Sequence, residues 1–233
     1  MADQFNYDNF FSANSLESTP GTVRHSKYDF AVAYPDPDNL PLEELIESVM
    51  AGFEREGRDL AYYSTAAGDP ELRKLVAEKL TRERNMSVTA DDMVLTSGSG
   101  EAIGILIQAL TDPGDVVLVE EFVYLGTLNQ MRRYGADVVA VKCDDDGIIP
   151  EALDSVITKQ LGNGKKVKYL YTIPSFQNPL GWTMGLERRK QVLEVTGKHG
   201  IPIFEDDCYA DLRFEGEDVT SFHSLDDTGR VIY

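Results

Sequence analysis

From residue 92 onward the chain repeats one alternation: a short, continuously apolar segment, then a stretch with helical spacing. The apolar segments read "MVLTSG", "DVVLVE", "DVVAVKC", "VKYLYT" and "IPIFED", with "RVIY" (Arg230 to Tyr233) as a further short strand. Helical patterns fall between them near residues 100–111, 124–135, 150–161 and 186–199. Strands that are apolar on both sides and separated by helices predict a mostly parallel sheet covered on both faces, a three-layer α/β/α architecture. "EAIGILIQAL" is apolar nearly all round, which predicts a deeply buried helix.

The part before this alternation is different in kind. The first forty-odd residues are polar and proline-rich ("YPDPDNLP", Tyr34 to Pro41) and read as an extended arm. A helix is predicted after Pro41, with Leu45, Val49 and Met50 inward. "GDPELRKLVAEKL" is a second helix: Asp69 can cap it, Pro70 suits its first turn, and Leu72, Leu75, Val76 and Leu80 form one stripe. Residues 1–45 are therefore read as an arm with a portion of a small domain, and 46–233 as part of a large domain. "GNGKK" (Gly162 to Lys166) lacks the spacing of a phosphate loop and precedes a strand, so it is read as a turn.

Composition narrows the function classes. A net charge of -18 argues against nucleic-acid binding, which needs a basic face. Cys143 and Cys208 are the two cysteines, too few for a disulfide framework, which points to a reducing compartment. "MADQFNYDNFF" lacks the basic flank and apolar core of a signal peptide, and no apolar run reaches membrane-spanning length. A soluble, cytosolic protein is expected.

Ligands of open parallel sheets bind at the carboxyl ends of the strands, and each strand end here carries a polar group. Gly98, Ser99 and Gly100 of "TSGSGEA" open a helix whose free N–H groups and dipole suit an anion, although such turns often merely cap helices. Tyr124 opens the next helix, as a stacking face or as an ordinary core tyrosine. Asn178 follows the strand "VKYLYT" within "PSFQNPLG". "FEDDCY" brings Glu205, Asp206 and Asp207 to the same edge, with Tyr209 just beyond. A carboxylate cluster first suggests magnesium, but Glu120 and Glu121 are the acidic groups on a neighbouring strand end, and one of them can simply face solvent. An anion-binding helix end, an aromatic face, an amide, a phenol and a carboxylate suit a phosphorylated aromatic ring with a basic nitrogen and a phenolic oxygen. Pyridoxal phosphate fits that description.

The blocks "YSTAAGDPELR", "TSGSGEA", "VEEFVYLG", "PSFQNPLG" and "EDDCYADLRF", in this order, resemble class I/II aminotransferases of the fold-type I pyridoxal-phosphate-dependent enzymes, loosely the kynurenine and 2-aminoadipate aminotransferase branch. The resemblance runs from "YDFAVAYPDPDNLP" to the last residue. It implies that Ser99 and Gly100 hold the cofactor phosphate and that Tyr124 stacks on the pyridine ring. Asn178 and Tyr209 would donate to its phenolic oxygen, and Asp206 would pair with its ring nitrogen and keep it protonated. Tyr63 would reach the phosphate of a partner in a homodimer. The implied activity is transfer of an amino group from an amino acid to a 2-oxo acid.

The chain departs from the family pattern in several places. Phe122 stands where the family usually has proline, and Ala33 where many members have a glycine near the substrate. The Schiff-base lysine is expected a few positions beyond Tyr233, and Lys142, Lys168, Lys190 and Lys198 look like ordinary surface residues. The chain is thus read as an N-terminal portion, inactive by itself, in which "MVLTSG" lacks the strand that it pairs with in the family. A lyase or decarboxylase of the same fold and a truncated non-enzymatic product are the alternative readings. A ligand-sensing regulator is set aside, because the arm is too short for a DNA-binding domain.

Overall fold

A computed structural model of the chain describes residues 10–12 and 34–233; Ala33 and most of the N-terminal arm lie outside the described residues. The chain divides into two compact units, Met1–Ser64 and Thr65–Tyr233.

In the first unit, the side chain of Asp36 accepts from the Asp38 amide and starts a 3-10 turn over Pro37–Asn39. Helix α1 spans Leu42–Glu56, with Glu43 and Glu44 at its positive end and Gly57 (φ 55°) closing it. Leu45, Val49 and Met50 were expected inward, yet each is more than half exposed. A single amphipathic helix cannot cover its own apolar stripe, and none of the described residues of α1 is buried.

The second unit begins with α2, Pro70–Arg84, capped as expected: the Asp69 side chain accepts from the Leu72 amide at 2.7 Å. Asn85, in the left-handed conformation, ends it. Ala77 is the buried position of this helix, while Leu72 and Leu75 stay exposed.

The remaining elements follow the alternation. Helix α3 (Ser99–Leu110) leads to β1 (Val116–Glu120), α4 (Leu125–Arg133) and β2 (Asp137–Val141). A two-residue hairpin, β3 (Cys143–Asp144) with β4 (Gly147–Ile148), precedes α5 (Pro150–Gly162) and β5 (Val167–Thr172). Helix α6 (Leu186–His199), β6 (Ile203–Glu205), the single turn α7 (Phe222–Leu225) and β7 (Val231–Ile232) complete it. The main sheet has the order β2-β1-β5-β6-β7, and every pairing is parallel.

Strand periodicity sorts the core into two layers. Leu118, Leu170 and Ile203 point to one face, where they meet Leu153 and Ile157 of α5 and Val192 of α6. Val119, Tyr171 and Phe204 point to the other, against Ile103 and Ile107 of α3 and Met131 of α4. This is the three-layer α/β/α arrangement, with a wholly parallel main sheet.

Two expectations fail at one edge. "MVLTSG" forms no strand: the Leu95 amide bonds the Ala67 carbonyl at 2.9 Å, but the segment joins no ladder. A strand exists only where a neighbour takes its backbone donors and acceptors. Here a cavity of ≈ 560 Å³ lies between Met93–Thr96, α3 and β7. The same gap explains α3, which buries Ile103 and Ile107 but leaves Ile105 45% exposed. It is covered on one face and is not deeply buried. Among the described residues no helix is long and apolar enough to cross a membrane.

Candidate active site

Strands β1, β5 and β6 are neighbours in the sheet, so the chain leaving each of them emerges at one edge. Asp206 lies one residue past β6, and its amide donates to the Thr172 carbonyl at 2.9 Å, extending the ladder by a step. Its Oδ2 accepts from the Tyr171 hydroxyl at 2.5 Å. The Tyr171 oxygen also lies 3.2 Å from Thr127 Oγ1. Since the phenol proton is directed at Asp206, Thr127 acts as donor to Tyr171. Burial, then the negative charge of Asp206, pushes the Tyr171 phenol far above its ordinary range. Tyr171 therefore remains a neutral donor at every physiological pH.

The neighbouring carboxylates point elsewhere. Glu205, buried, accepts from the Phe222 and His223 amides at the start of α7, both at 2.9 Å. Asp207 Oδ2 accepts from the Tyr233 hydroxyl at 3.3 Å. Among the described residues no group of three or more His, Cys, Asp and Glu side chains is placed to hold a metal ion.

After β5 the chain makes a tight loop that presents Asn178. The Gln177 amide bonds the Trp182 carbonyl at 2.9 Å, and the Phe176 amide bonds Thr183 Oγ1 at 3.1 Å. Phe176 has φ 50°, a left-handed conformation that is costly for a bulky residue, and the Arg213 guanidinium lies 4.8 Å from its ring centre. The Asn178–Pro179 peptide is cis. Asn178 Nδ2 donates to the Tyr209 hydroxyl at 3.0 Å. With its oxygen accepting, Tyr209 keeps its own proton available for a ligand, as Asn178 keeps its second amide hydrogen. Burial raises the Tyr209 pKa, and the Asn178 bond opposes that rise.

The phosphate-type features lie on the α3 and α4 side. Gly98 precedes α3 with φ 89°, which favours glycine, and gives the helix no side-chain cap. Ser99 and Gly100 are exposed at its first two positions. Gln130 Nε2 of α4 donates to the Gly100 carbonyl at 3.2 Å, joining this turn to the helix that Tyr124 opens. The Tyr124 ring approaches Gly126 closely: a Cβ there would come within 2.4 Å of Cε1. Its exposure is 49%, so it is not a core tyrosine. Tyr63, also exposed, belongs to the first unit.

Sequence reasoning missed the groups that hold this edge in place. Glu120, 1% exposed, neither faces solvent nor joins a metal-binding group among the described residues. Its Oε1 accepts from Thr172 Oγ1 at 2.5 Å and from the Ile173 amide at 3.0 Å, and its Oε2 accepts from Gln177 Nε2 at 2.8 Å. Burial pushes its carboxyl up to about 7 against the pull of those donors. Arg189 on α6 is fully buried; its Nε donates to the Met184 carbonyl at 3.0 Å, and its Nη2 to the Pro174 carbonyl and Ser175 Oγ at 3.1 Å. It lies 3.6 Å from Glu205, whose carboxyl burial pushes up to about 7. One signal was available: Arg189, Val192 and Thr196 share a helical face at i, i+3 and i+7.

The donor set fits a flat heterocycle that carries a phosphate: a carboxylate for a ring nitrogen, two donors for a ring oxygen, and an uncapped helix end for the anion. That fit and the sheet topology define a cofactor-binding α/β protein. The chain belongs to the class I and class II aminotransferases, whose family model matches residues 30–232. It is 32% identical over its whole length to aromatic-amino-acid aminotransferase 1 of Thermococcus litoralis, covering 58% of that protein. With the mitochondrial kynurenine/alpha-aminoadipate aminotransferase of Bos taurus it shares 29% identity over 97% of the chain and 60% of the relative. The crystal structure of a multiple substrate aminotransferase from Thermococcus profundus superposes with a TM-score of 0.84 at 29% identity, covering 98% of this chain and 59% of that one. The chain thus spans somewhat more than half the length of these relatives.

Proposed function

We propose that the whole protein is a pyridoxal-phosphate-dependent aminotransferase, moving an amino group from an amino acid to a 2-oxo acid. The observation that carries this reading is the meeting of Asp206, held by Tyr171, with the hydrogen-bonded pair Asn178 and Tyr209 at one sheet edge. The bound cofactor supplies the electron sink on which amino-group transfer depends. Asp206, oriented by the phenol of Tyr171, would hold the proton on the ring nitrogen. Asn178 and Tyr209 would donate to the phenolic oxygen. Ser99 and Gly100 bind the phosphate through backbone N–H groups and the serine hydroxyl, and Tyr124 covers one ring face. The relatives' names include aromatic amino acids and kynurenine/alpha-aminoadipate, which supports an amino-acid substrate without selecting a side chain.

A homodimer belongs to the same reading, with Tyr63 reaching the partner's phosphate. So does a cytosolic setting, which the free thiols of Cys143 and Cys208 favour. The test is a transamination assay on the whole protein over a panel of amino acids and 2-oxo acids. Wild-type turnover that Asp206→Asn lowers by about a hundredfold or more supports the reading; turnover unaffected by that substitution refutes it.

A further inference from the structure

The carboxylate of Glu120 has an environment that packing alone does not require. Among the described residues no lysine or arginine is paired with it, and its partners are neutral donors. Burying an ionisable group in this way is costly unless its hydrogen bonds are all made. All three donors lie on the segment that delivers Asn178: Thr172 ends β5, Ile173 begins the loop, and Gln177 directly precedes Asn178.

Gln177 passes the constraint on. Its Nε2 also donates to the Phe122 carbonyl at 2.6 Å, and its Oε1 accepts from the Leu180 amide at 2.9 Å. One buried side chain thus links β1, the turn before α4 and both sides of Asn178. Phe176 holds its left-handed backbone within the same loop, a conformation that persists only where the surroundings impose it.

We propose that Glu120 is a positioning residue that acts through Gln177 to hold the Asn178 amide where it and Tyr209 can donate to one ligand oxygen. This rests on the cofactor reading of the site. Glu120 touches no ligand itself. Its part is to fix the loop register to within the few tenths of an ångström on which a shared hydrogen bond depends.

Glutamine at position 120 keeps the shape but turns an N–H₂ group toward another donor. Its Oε1 can still accept from Thr172 and Ile173, while its Nε2 then faces Gln177 Nε2. Gln177 can escape by rotating its amide only by giving up both Phe122 and Leu180. The loop therefore loses its anchor with little change in volume.

The experiment is a double-mutant cycle on pyridoxal 5′-phosphate affinity in the whole protein, read by cofactor absorbance, with Glu120→Gln, Asn178→Ala and the double variant. Asn178→Ala should weaken binding about tenfold, the worth of one or two hydrogen bonds. Glu120→Gln should weaken it by a similar factor, and the double variant no further than about twofold beyond Asn178→Ala, because both remove the same contact. Hydrogen exchange should also quicken at the Leu180 and Gly181 amides in Glu120→Gln. Should Glu120→Gln fail to fold, Gln177→Met breaks the same link from the loop side and takes its place in the cycle. Multiplicative losses, or wild-type affinity in Glu120→Gln, would overturn the positioning role while leaving the cofactor site standing. Unchanged affinity in Asn178→Ala would overturn the cofactor reading itself, and this proposal with it.

Discussion

The Tyr171 hydroxyl donates to Asp206 Oδ2 at 2.5 Å, from the adjacent strand and from beneath the edge where Asp206 emerges. A neutral phenol in this place orients the carboxylate without competing for its charge, as a lysine or arginine would. Tyr171→Phe should therefore leave the fold intact but let Asp206 rotate, lowering kcat of the whole protein about tenfold, the worth of one charge-assisted hydrogen bond. Asp206→Asn, which cannot hold a ring nitrogen protonated, should cost about 10²–10³. Steady-state kinetics on both variants checks the order. A Tyr171→Phe loss as large as that of Asp206→Asn would mean that the phenol does more than orient.

Asn178 and Tyr209 are 3.0 Å apart, and both keep a hydrogen for a ligand. Replacing either, as Asn178→Ala or Tyr209→Phe, should raise the pH midpoint of the bound cofactor's absorbance change by about half to one unit, since donors to the phenolic oxygen favour its ionised form. A spectrophotometric pH titration reads this directly. Midpoints that stay put in both variants would make the pair a purely structural contact.

Glu120 gives a stability prediction with a definite sign. Its carboxyl is raised in the folded state from the usual 4.5 to about 7 by burial. A raised carboxyl contributes stability that is fully present below about 4.5 and is lost as pH rises through about 7. Urea melts of wild type and Glu120→Gln from pH 4 to pH 8 should show the wild type losing stability relative to the variant across that window, by on the order of 3 kcal/mol. Glu205, raised to about 7 by the same cause, keeps its own step in both proteins. Parallel curves would show that the Glu120 carboxyl titrates alike in the folded and unfolded chain, its three donors offsetting the cost of burial.

Arg189 joins the loop base at Pro174, Ser175 and Met184 to Glu205, all out of contact with water. Arg189→Met should destabilise the Thr65–Tyr233 unit by about 3–5 kcal/mol, because it strands a buried carboxylate. The pair Arg189→Met with Glu205→Gln should recover part of that loss. Thermal melts of the three variants test it, and a double variant no better than the single one would show that the arginine acts through its backbone carbonyls alone.

Much of the fold was legible because the signals were local. Asp69 and Pro70 marked the start of α2, and the apolar runs from Val116, Asp137, Val167, Ile203 and Val231 became the five parallel strands. "MVLTSG" has the same composition as those runs and fails for a reason outside itself: a ladder needs a second strand, and this segment faces a cavity. Amide exchange at Met93–Thr96 should accordingly be much faster than at Val116–Val119. Leu45 and Val49 misled in the same way, since periodicity shows which face is apolar and not whether anything covers it. The residues proposed to face the ligand, Asn178, Asp206 and Tyr209, stood out by position beyond strand ends, whereas Glu120 and Arg189 did not. A charged residue defaults to solvent in a sequence reading, and what overrides the default here is a set of partners 5 to 57 residues away, nearly all of them beyond local reach.

The central claim is that this sheet edge serves amino-group transfer, and a half-reaction tests it most directly. The whole protein, loaded with pyridoxal 5′-phosphate, is mixed with an amino acid and no acceptor, and the released 2-oxo acid is measured per protomer. The account predicts a stoichiometric burst that stops, then resumes only when a second 2-oxo acid is added, as a two-stage exchange requires. Continuous turnover without an acceptor, with release of carbon dioxide or loss of the side chain, would contradict it and identify a decarboxylase or lyase instead.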